Sequence, residues 1–401
     1  MIRVLHNSLF ISIVSGHFFV DILNSAFPII MAALALQMGL SNAQLGLAAT
    51  IYAIVGSLTQ PLFGYAADRW GSRLFAVGGI FWMATFFAVA GLLPGWSGLI
   101  LLLFAGLGSA AFHPQAAMNA RYAAEPAVAS GTSVFFLFGQ AGLAIGPGLA
   151  GVMIAQLGLK STLLTLAALM IPAALLLSIF MPTQHYAPPS KQQQATTPSR
   201  AAHWPILAIV AFLLLLALRS WPISAITTFF PKLLGDLGFA PQEFGLSLTA
   251  FMMGAAVGGV AAGWLADHWR RRVVVFLSLA LAPVPLWALL TVDPRSPLLL
   301  LTAAGAGFLI GAPHSILVLL AQSMMPHRMA LASGLVLGFM FTAGALGTYA
   351  TGFLADQIGL QGALGMLPAL VIGAALCSAM LPTTKTLTAA TVISSEAVPA
   401  D

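Results

Sequence analysis

Asp21 is the one acidic residue that falls deep inside an apolar run. With His17 and Asn24 it follows the i, i+4, i+7 spacing that puts three side chains on one helix face. It stands thirteen residues after Ser8, about 20 Å along a helix rising 1.5 Å per residue and so near a bilayer midplane. An ionisable group at that depth costs on the order of several kcal/mol unless it meets partners or water. The functional reading of Asp21 with His17 is therefore proton coupling, and the structural one is a polar cluster bonded to a neighbouring helix. Arg219 is the corresponding singularity of the second half, fifteen residues after Trp204 and about 22 Å along its helix. Ser220, Ser224 and Thr227 form a polar stripe beside it, with Pro222 as a kink. A buried guanidinium can pair with Asp21, or hold a phosphonate, phosphate or carboxylate through two parallel hydrogen bonds.

His113 and His314 each adjoin a proline, in Phe112-His113-Pro114 and Pro313-His314. Proline frees a carbonyl within a helix, and the imidazole beside it can satisfy that carbonyl or titrate near neutral pH. Asn24, Gln60, Gln140 and Gln322 are further intramembrane amides that could line a path. The substrate-binding candidates are Arg219, Asn24, His113, His314, Gln60 and Gln140.

These side chains need a scaffold, and the composition restricts its kind. Of 401 residues, 60% are hydrophobic and 6% charged, against about 25% charged in ordinary soluble domains. A span requires roughly 20 apolar residues. Hydropathy and breaker residues predict twelve helices, at about 8–36, 42–66, 74–93, 97–120, 128–157, 161–181, 204–231, 241–266, 273–292, 297–322, 328–356 and 362–382. The organisation expected is an N-terminal six-helix bundle over 1–182, a polar cytoplasmic linker over 183–203, a C-terminal six-helix bundle over 204–382, and a disordered cytoplasmic tail over 383–401. The first run is too long for a signal-peptide core of about 7–15 residues and carries Asp21 in its middle, so it reads as a retained span.

The net charge of +5 reflects topology rather than nucleic-acid binding, because the basic residues are scattered between apolar runs. With the N-terminus inside, eleven Lys and Arg (3, 69, 73, 121, 191, 200, 270, 271, 272, 328, 385) fall on the inner side and three (160, 232, 295) outside. That asymmetry places both termini in the cytoplasm. Cys377 is the single cysteine, so no internal disulfide or thiolate cluster can form. No metal or cofactor is expected.

The two halves repeat one another. Gly64-Tyr-Ala-Ala-Asp68-Arg69-Trp-Gly71-Ser-Arg73 returns 199 positions later as Gly263-Trp-Leu-Ala-Asp267-His-Trp-Arg-Arg-Arg272. Both copies follow a helix that starts outside, so the repeat is parallel, as in transporters built from two halves about an axis along the membrane normal. Asp68 could accept from a helix N-terminus and Arg69 or Arg73 could pair with acids, making a latch of Gly64, Asp68, Arg69, Gly71 and Arg73, with Asp267 and Arg272 in the second copy.

The 64–73 stretch resembles motif A of the major facilitator superfamily. Gly139, Gly142, Gly146, Gly148 and Gly151 resemble motif C of its proton-driven antiporters. Four segments are similar to the fosmidomycin-resistance branch of bacterial exporters: Ser15-Gly-His17 leading to Asp21, Gln60-Pro61-Leu-Phe-Gly64-Tyr65, Phe112-His113-Pro114, and Ser333-Gly334-Leu335 with Gly338-Phe339. The resemblance implies a proton-driven antiporter in which Asp21, His17 and His113 function. Two residues depart from it: Gln115 stands where an acid would follow the proline, and Arg219 where a lysine would stand.

Enzyme signatures fail on context. Gly146-Pro-Gly148-Leu-Ala-Gly151 spells G-x-G-x-x-G without a preceding strand, and there is no Walker A sequence, no H-E-x-x-H and no G-x-S-x-G. The expectation is an all-α integral membrane transporter, not an enzyme, of a bacterial inner membrane. It would be a monomer, with a small molecule, protons and lipid as its partners. It would export a small anionic drug or metabolite in exchange for protons. Proton-coupled import of an organic anion is the alternative, and a non-transporting receptor a remoter one.

Overall fold

The computed structural model describes residues 6–125, 128–182, 205–325 and 329–381, and within them the regular structure is helical. The predicted linker 183–203 and tail 383–401 lie outside the described residues, as do Arg3, Lys191, Arg200, Arg328 and Lys385 of the orientation argument.

The first helix, α1 (Ser8–Met38), begins where the Asn7 side chain accepts from the Phe10 amide and ends at Gly39 with φ 64°. It stays continuous through Pro28, as spans do when neighbouring helices shield the freed carbonyl. After it come α2 (Asn42–Ser57), α3 (Gln60–Trp70), α4 (Ser72–Leu92) and α5 (Gly95–Ala123). The Ser41–Gln44 capping box starts α2, satisfying amides that a helix leaves without partners in its first turn.

Next is α6 (Val128–Phe180), whose 53 residues include Gly158 in a non-helical conformation, φ 75° and ψ 165°. Fifty-three residues of straight helix would extend about 80 Å, far beyond a hydrocarbon core about 30 Å thick. Gly158 resolves this by turning the chain, since glycine alone enters such positive-φ regions without steric cost. Its two arms match the fifth and sixth predicted helices. Among the described residues, eleven stretches are long and apolar enough to cross a membrane, and the break within α6 accounts for the twelfth expected crossing.

The second half runs through α7 (Ile206–Asp236), α8 (Pro241–His268), α9 (Arg271–Leu281), α10 (Pro283–Thr291), α11 (Leu298–Gly311), α12 (His314–Met324), α13 (Met329–Ile358), α14 (Leu360–Gly365) and α15 (Leu367–Ala379). Several predicted spans emerge as pairs of shorter helices. The junctions lie beside Pro61, Pro283, Pro313 and Pro368, where a missing N–H interrupts the i to i−4 ladder.

Contacts group the chain into two compact units. Of the described residues, one unit draws on those within 6–182, Ala225–Met253 and Thr348–Ala363, and the other on those within 205–224, Gly254–Gly347 and 364–381. In the first unit α1 is the central element. It is buried along most of its length and packs most extensively on α6.

Candidate functional site

Within the first unit, α1 carries Asp21 and His17 into a buried position, with 6% and 5% of their surfaces exposed. His17 Nε2 lies 3.1 Å from Asp21 Oδ2, and His113 Nε2, from α5, lies 3.2 Å from Asp21 Oδ1. Asn24 donates from Nδ2 to Asp21 Oδ1 at 3.1 Å and to Ser109 Oγ at 2.9 Å. Tyr52, on α2, donates its hydroxyl to Asn24 Oδ1 at 2.9 Å. The carboxylate is thus gripped by two imidazoles and an amide drawn from two helices, and no lysine or arginine pairs with it among the described residues.

Local structure explains the arrangement. One turn separates His17 from Asp21 on α1, so their side chains stack along the same face. The His17 ring lies against Phe135 with centroids 4.0 Å apart and planes 17° from parallel, and its Nδ1 donates to the Phe135 carbonyl at 2.9 Å. His113 Nδ1 donates to the Ser109 carbonyl at 2.9 Å, one turn back on α5. The carbonyl it bonds is that of Ser109, not the Ala110 carbonyl that Pro114 leaves without its amide four residues on, so the expected match of imidazole to proline-freed carbonyl is not made here. Glycine on α6 lets that helix approach closely: a Cβ on Gly139 would lie 2.8 Å from Asp21 Oδ2, and one on Gly142 would lie 3.1 Å from Asp21 Cβ. The predicted glycine face of the fifth span is therefore the wall behind the carboxylate.

Arg219 lies in the second unit, on α7, with 3% of its surface exposed. It donates from Nε to the Ile310 carbonyl at 2.9 Å and from Nη2 to the Gly311 carbonyl at 3.2 Å. Those carbonyls belong to the last two residues of α11, at the break before α12, where helical partners are missing. Two of the five guanidinium N–H donors are engaged there, and the guanidinium remains buried as a cationic group. His314 opens α12 from an exposed position.

The amide candidates separate. Gln60 donates to the Gly56 carbonyl of its own chain turn at 3.0 Å, and Gln140 is exposed on α6; neither joins the Asp21 cluster. Buried Gln115 reaches toward the Phe63 carbonyl at 3.5 Å.

In the 64–73 stretch, Gly71 (φ 97°) caps α3 and leads into α4. Arg69 lies over the Trp70 ring, 5.9 Å from its centroid. Arg73 donates from Nη2 to the Ser178 carbonyl near the end of α6. Its repeat equivalent Arg272 donates to the Leu381 carbonyl at 2.9 Å and to the Ala379 carbonyl, at the end of α15. Where the sequence suggested acids as partners for Arg73, helix-end carbonyls take the charge, because they carry the negative end of the helix dipole. Asp68 and Asp267 are exposed and join no ion pair among the described residues.

Sequence reasoning missed Tyr52, Ser109 and Asp356. Asp356, near the end of α13, accepts from the Asn42 amide at 2.8 Å and the Ala43 amide at 2.9 Å, closing the N-terminus of α2. A signal for it existed: Gly352-Phe-Leu-Ala-Asp356-Gln-Ile-Gly359 repeats the Gly-x-x-Ala-Asp-x-x-Gly pattern of 64–71.

Comparison with known proteins adds an independent line. The chain matches the family described as Major Facilitator Superfamily over residues 9–233 and again over 212–399. It is 27% identical over 352 residues to the fosmidomycin resistance protein of Escherichia coli (strain K12), covering 86% of each chain. It is also 27% identical over 299 residues to the multidrug efflux pump Tap of Mycolicibacterium fortuitum, covering 68% of this chain and 70% of that one. Among solved structures, a bacterial homolog of the human lysosomal transporter Spinster, inward-facing and unoccupied, has the same fold. The TM-score is 0.75 at 14% identity, with 93% of this chain and 97% of that one covered.

Proposed function

Because the chain belongs to the major facilitator superfamily, a family of multi-pass membrane transporters, we propose that it exports a small anionic compound in exchange for protons bound at Asp21 and His17. The observation that carries this reading is the buried carboxylate held between two imidazoles, with no lysine or arginine paired to it among the described residues. Such a group can take up or give up a proton while its imidazole partners reorient, and the site alternates between the two sides as the transporter rocks. His113 and Asn24 would link the proton site to cargo, and Arg219 with His314 would hold the anion. A phosphonate of the fosmidomycin kind is the favoured cargo class, on the strength of the fosmidomycin resistance protein of Escherichia coli and the bidentate geometry a guanidinium offers.

The same reading assigns 1–182 and 204–382 to two six-helix bundles joined by a cytoplasmic linker. Gly64, Asp68, Arg69, Gly71 and Arg73, with Asp267 and Arg272, form the latches on that face. The protein would be a monomer in a bacterial inner membrane with both termini in the cytoplasm.

Reconstituted vesicles carrying a pH-sensitive dye and an imposed pH gradient test it. Addition of fosmidomycin to vesicles containing the wild-type protein collapses the gradient faster than in empty vesicles. Import driven by the gradient, or flux that ignores it, would contradict the proposal.

A further inference from the structure

The two histidines share a feature that proton exchange alone does not require. In each ring Nδ1 is committed to a main-chain carbonyl, Phe135 for His17 and Ser109 for His113, both at 2.9 Å. A carbonyl oxygen only accepts, so the hydrogen of each neutral ring sits on Nδ1. Both Nε2 lone pairs then converge on Asp21, 3.1 Å from Oδ2 and 3.2 Å from Oδ1. Lone pairs aimed at carboxylate oxygens repel unless positive charge stands between them. An imidazole fixed through one nitrogen by a backbone carbonyl, with the other nitrogen presented inward, is also the way metal-bound histidines are oriented.

Ligand count and spacing agree. One ligand atom from each of His17, Asp21 and His113 can be chosen so that all lie within 4.8 Å of one another. A tetrahedral zinc site with bonds of about 2.0–2.1 Å places ligand atoms about 3.3 Å apart; each imidazole nitrogen lies near that distance from one carboxylate oxygen, His17 from Oδ2 and His113 from Oδ1, so the carboxylate would ligate through both of its oxygens. Two imidazole nitrogens and one carboxylate suit Zn2+ and its transition-metal neighbours, whereas Ca2+ and Mg2+ need shells dominated by oxygen. The His113 side chain is 24% exposed against 6% for His17 and 8% for Asp21, so entry and an open fourth position lie on its side. Among the described residues the other polar side chains bonded in this neighbourhood are Asn24, Ser25, Ser109 and Tyr52, none of them cationic.

We propose that His17 Nε2, His113 Nε2 and the Asp21 carboxylate bind one divalent transition-metal cation of the Zn2+ class, and that its occupancy arrests transport. Binding stands on the geometry. The arrest rests on the proton reading above, because the cation would occupy the atoms that exchange protons.

Tag-free full-length protein in detergent, titrated with ZnCl2 in a calorimeter at pH 7.5, is the test. The expected result is one Zn2+ per chain, with affinity falling tenfold or more in His17→Gln and His113→Gln, at least the loss seen when merely the outer shell of a metal site is changed. Should either variant misfold, X-ray absorption on the zinc-loaded wild type decides, two imidazole nitrogens in the first shell being expected. Absence of stoichiometric binding, affinity unchanged in the folded double variant, or a first shell without two imidazoles would overturn the site. Zn2+ is then added to vesicles during flux: arrest is expected, whereas undiminished flux with the site filled leaves the metal site standing and removes the proton role of the cluster.

Discussion

Asp21 Oδ1 and His113 Nε2 lie 3.2 Å apart although 92 positions separate them in the chain. The contact ties the middle of α1 to α5 and joins the proposed proton site to His113, which the proposed function places between that site and the cargo. Replacing His113 by Ala removes a partner of a buried carboxylate and spares the packing of α1 on α6. When its ring carries a proton on Nε2 as well as on Nδ1, His113 donates to the carboxylate, and hydrogen bonds involving charged groups contribute about 1.5–3 kcal/mol. His113→Ala should lower the melting temperature in detergent by several degrees and reduce gradient-driven export by at least tenfold, both measured on the same purified sample.

Close approach of α6 to α1 makes a second prediction. A methyl group at Gly142 would meet Asp21 Cβ at 3.1 Å and the Ile22 amide nitrogen at 3.2 Å, whereas one at Gly78 meets nothing within 4 Å. Overpacking costs about 1–3 kcal/mol, while an unobstructed Gly→Ala in a helix gains about 1 kcal/mol or less. Thermal unfolding should therefore show Gly142→Ala destabilised and Gly78→Ala unchanged or slightly stabilised.

Arg219 holds two carbonyls at once, from Ile310 and Gly311. Lysine keeps the charge but has no planar fork with which to satisfy two carbonyls and still bind an anion side-on. Arg219→Lys is expected to weaken binding of a phosphonate by about tenfold, equivalent to about 1.4 kcal/mol, as read by calorimetry. Unchanged affinity would remove Arg219 from the cargo site.

Asp356 caps α2 from α13, with one carboxylate oxygen on each of two successive amides. Loss of an N-cap acceptor costs about 0.5–2 kcal/mol. Asp356→Ala should lose stability in that range, and Asp356→Asn, which retains one acceptor oxygen, should lose less. Denaturation monitored by helical circular dichroism ranks the three proteins.

Much of this was legible in the residues. The i, i+4, i+7 pattern put His17, Asp21 and Asn24 on one face because helical spacing is local. The recurrence of Asp68 to Arg73 at Asp267 to Arg272 marked Arg73 and Arg272 as equivalents, but the acids expected as partners are replaced by carbonyls at a helix end in both. What spacing could not supply was the partner across helices. Tyr52 and Ser109 read as ordinary members of apolar runs, and only the packing of α2 and α5 against α1 brings them to Asn24. Helix number was recoverable from hydropathy. The breaks at Gly158 and at Pro283, Pro313 and Pro368 belong to backbone geometry, on which a hydropathy average is silent. Asp356 sits in a third copy of the Gly-x-x-Ala-Asp pattern, but Gln357 follows it where the first two copies have Arg69 and His268, so a charge-based reading gives it no signal.

The central claim is that the Asp21 carboxyl exchanges protons with cargo, and proton release on binding measures it most directly. Purified protein in weakly buffered detergent solution is mixed with fosmidomycin while a pH-sensitive dye is followed. The wild type should show a stoichiometric proton change that disappears in Asp21→Asn, with calorimetry confirming that the variant still binds. An equal proton change in the folded, cargo-binding Asp21→Asn protein would contradict the account.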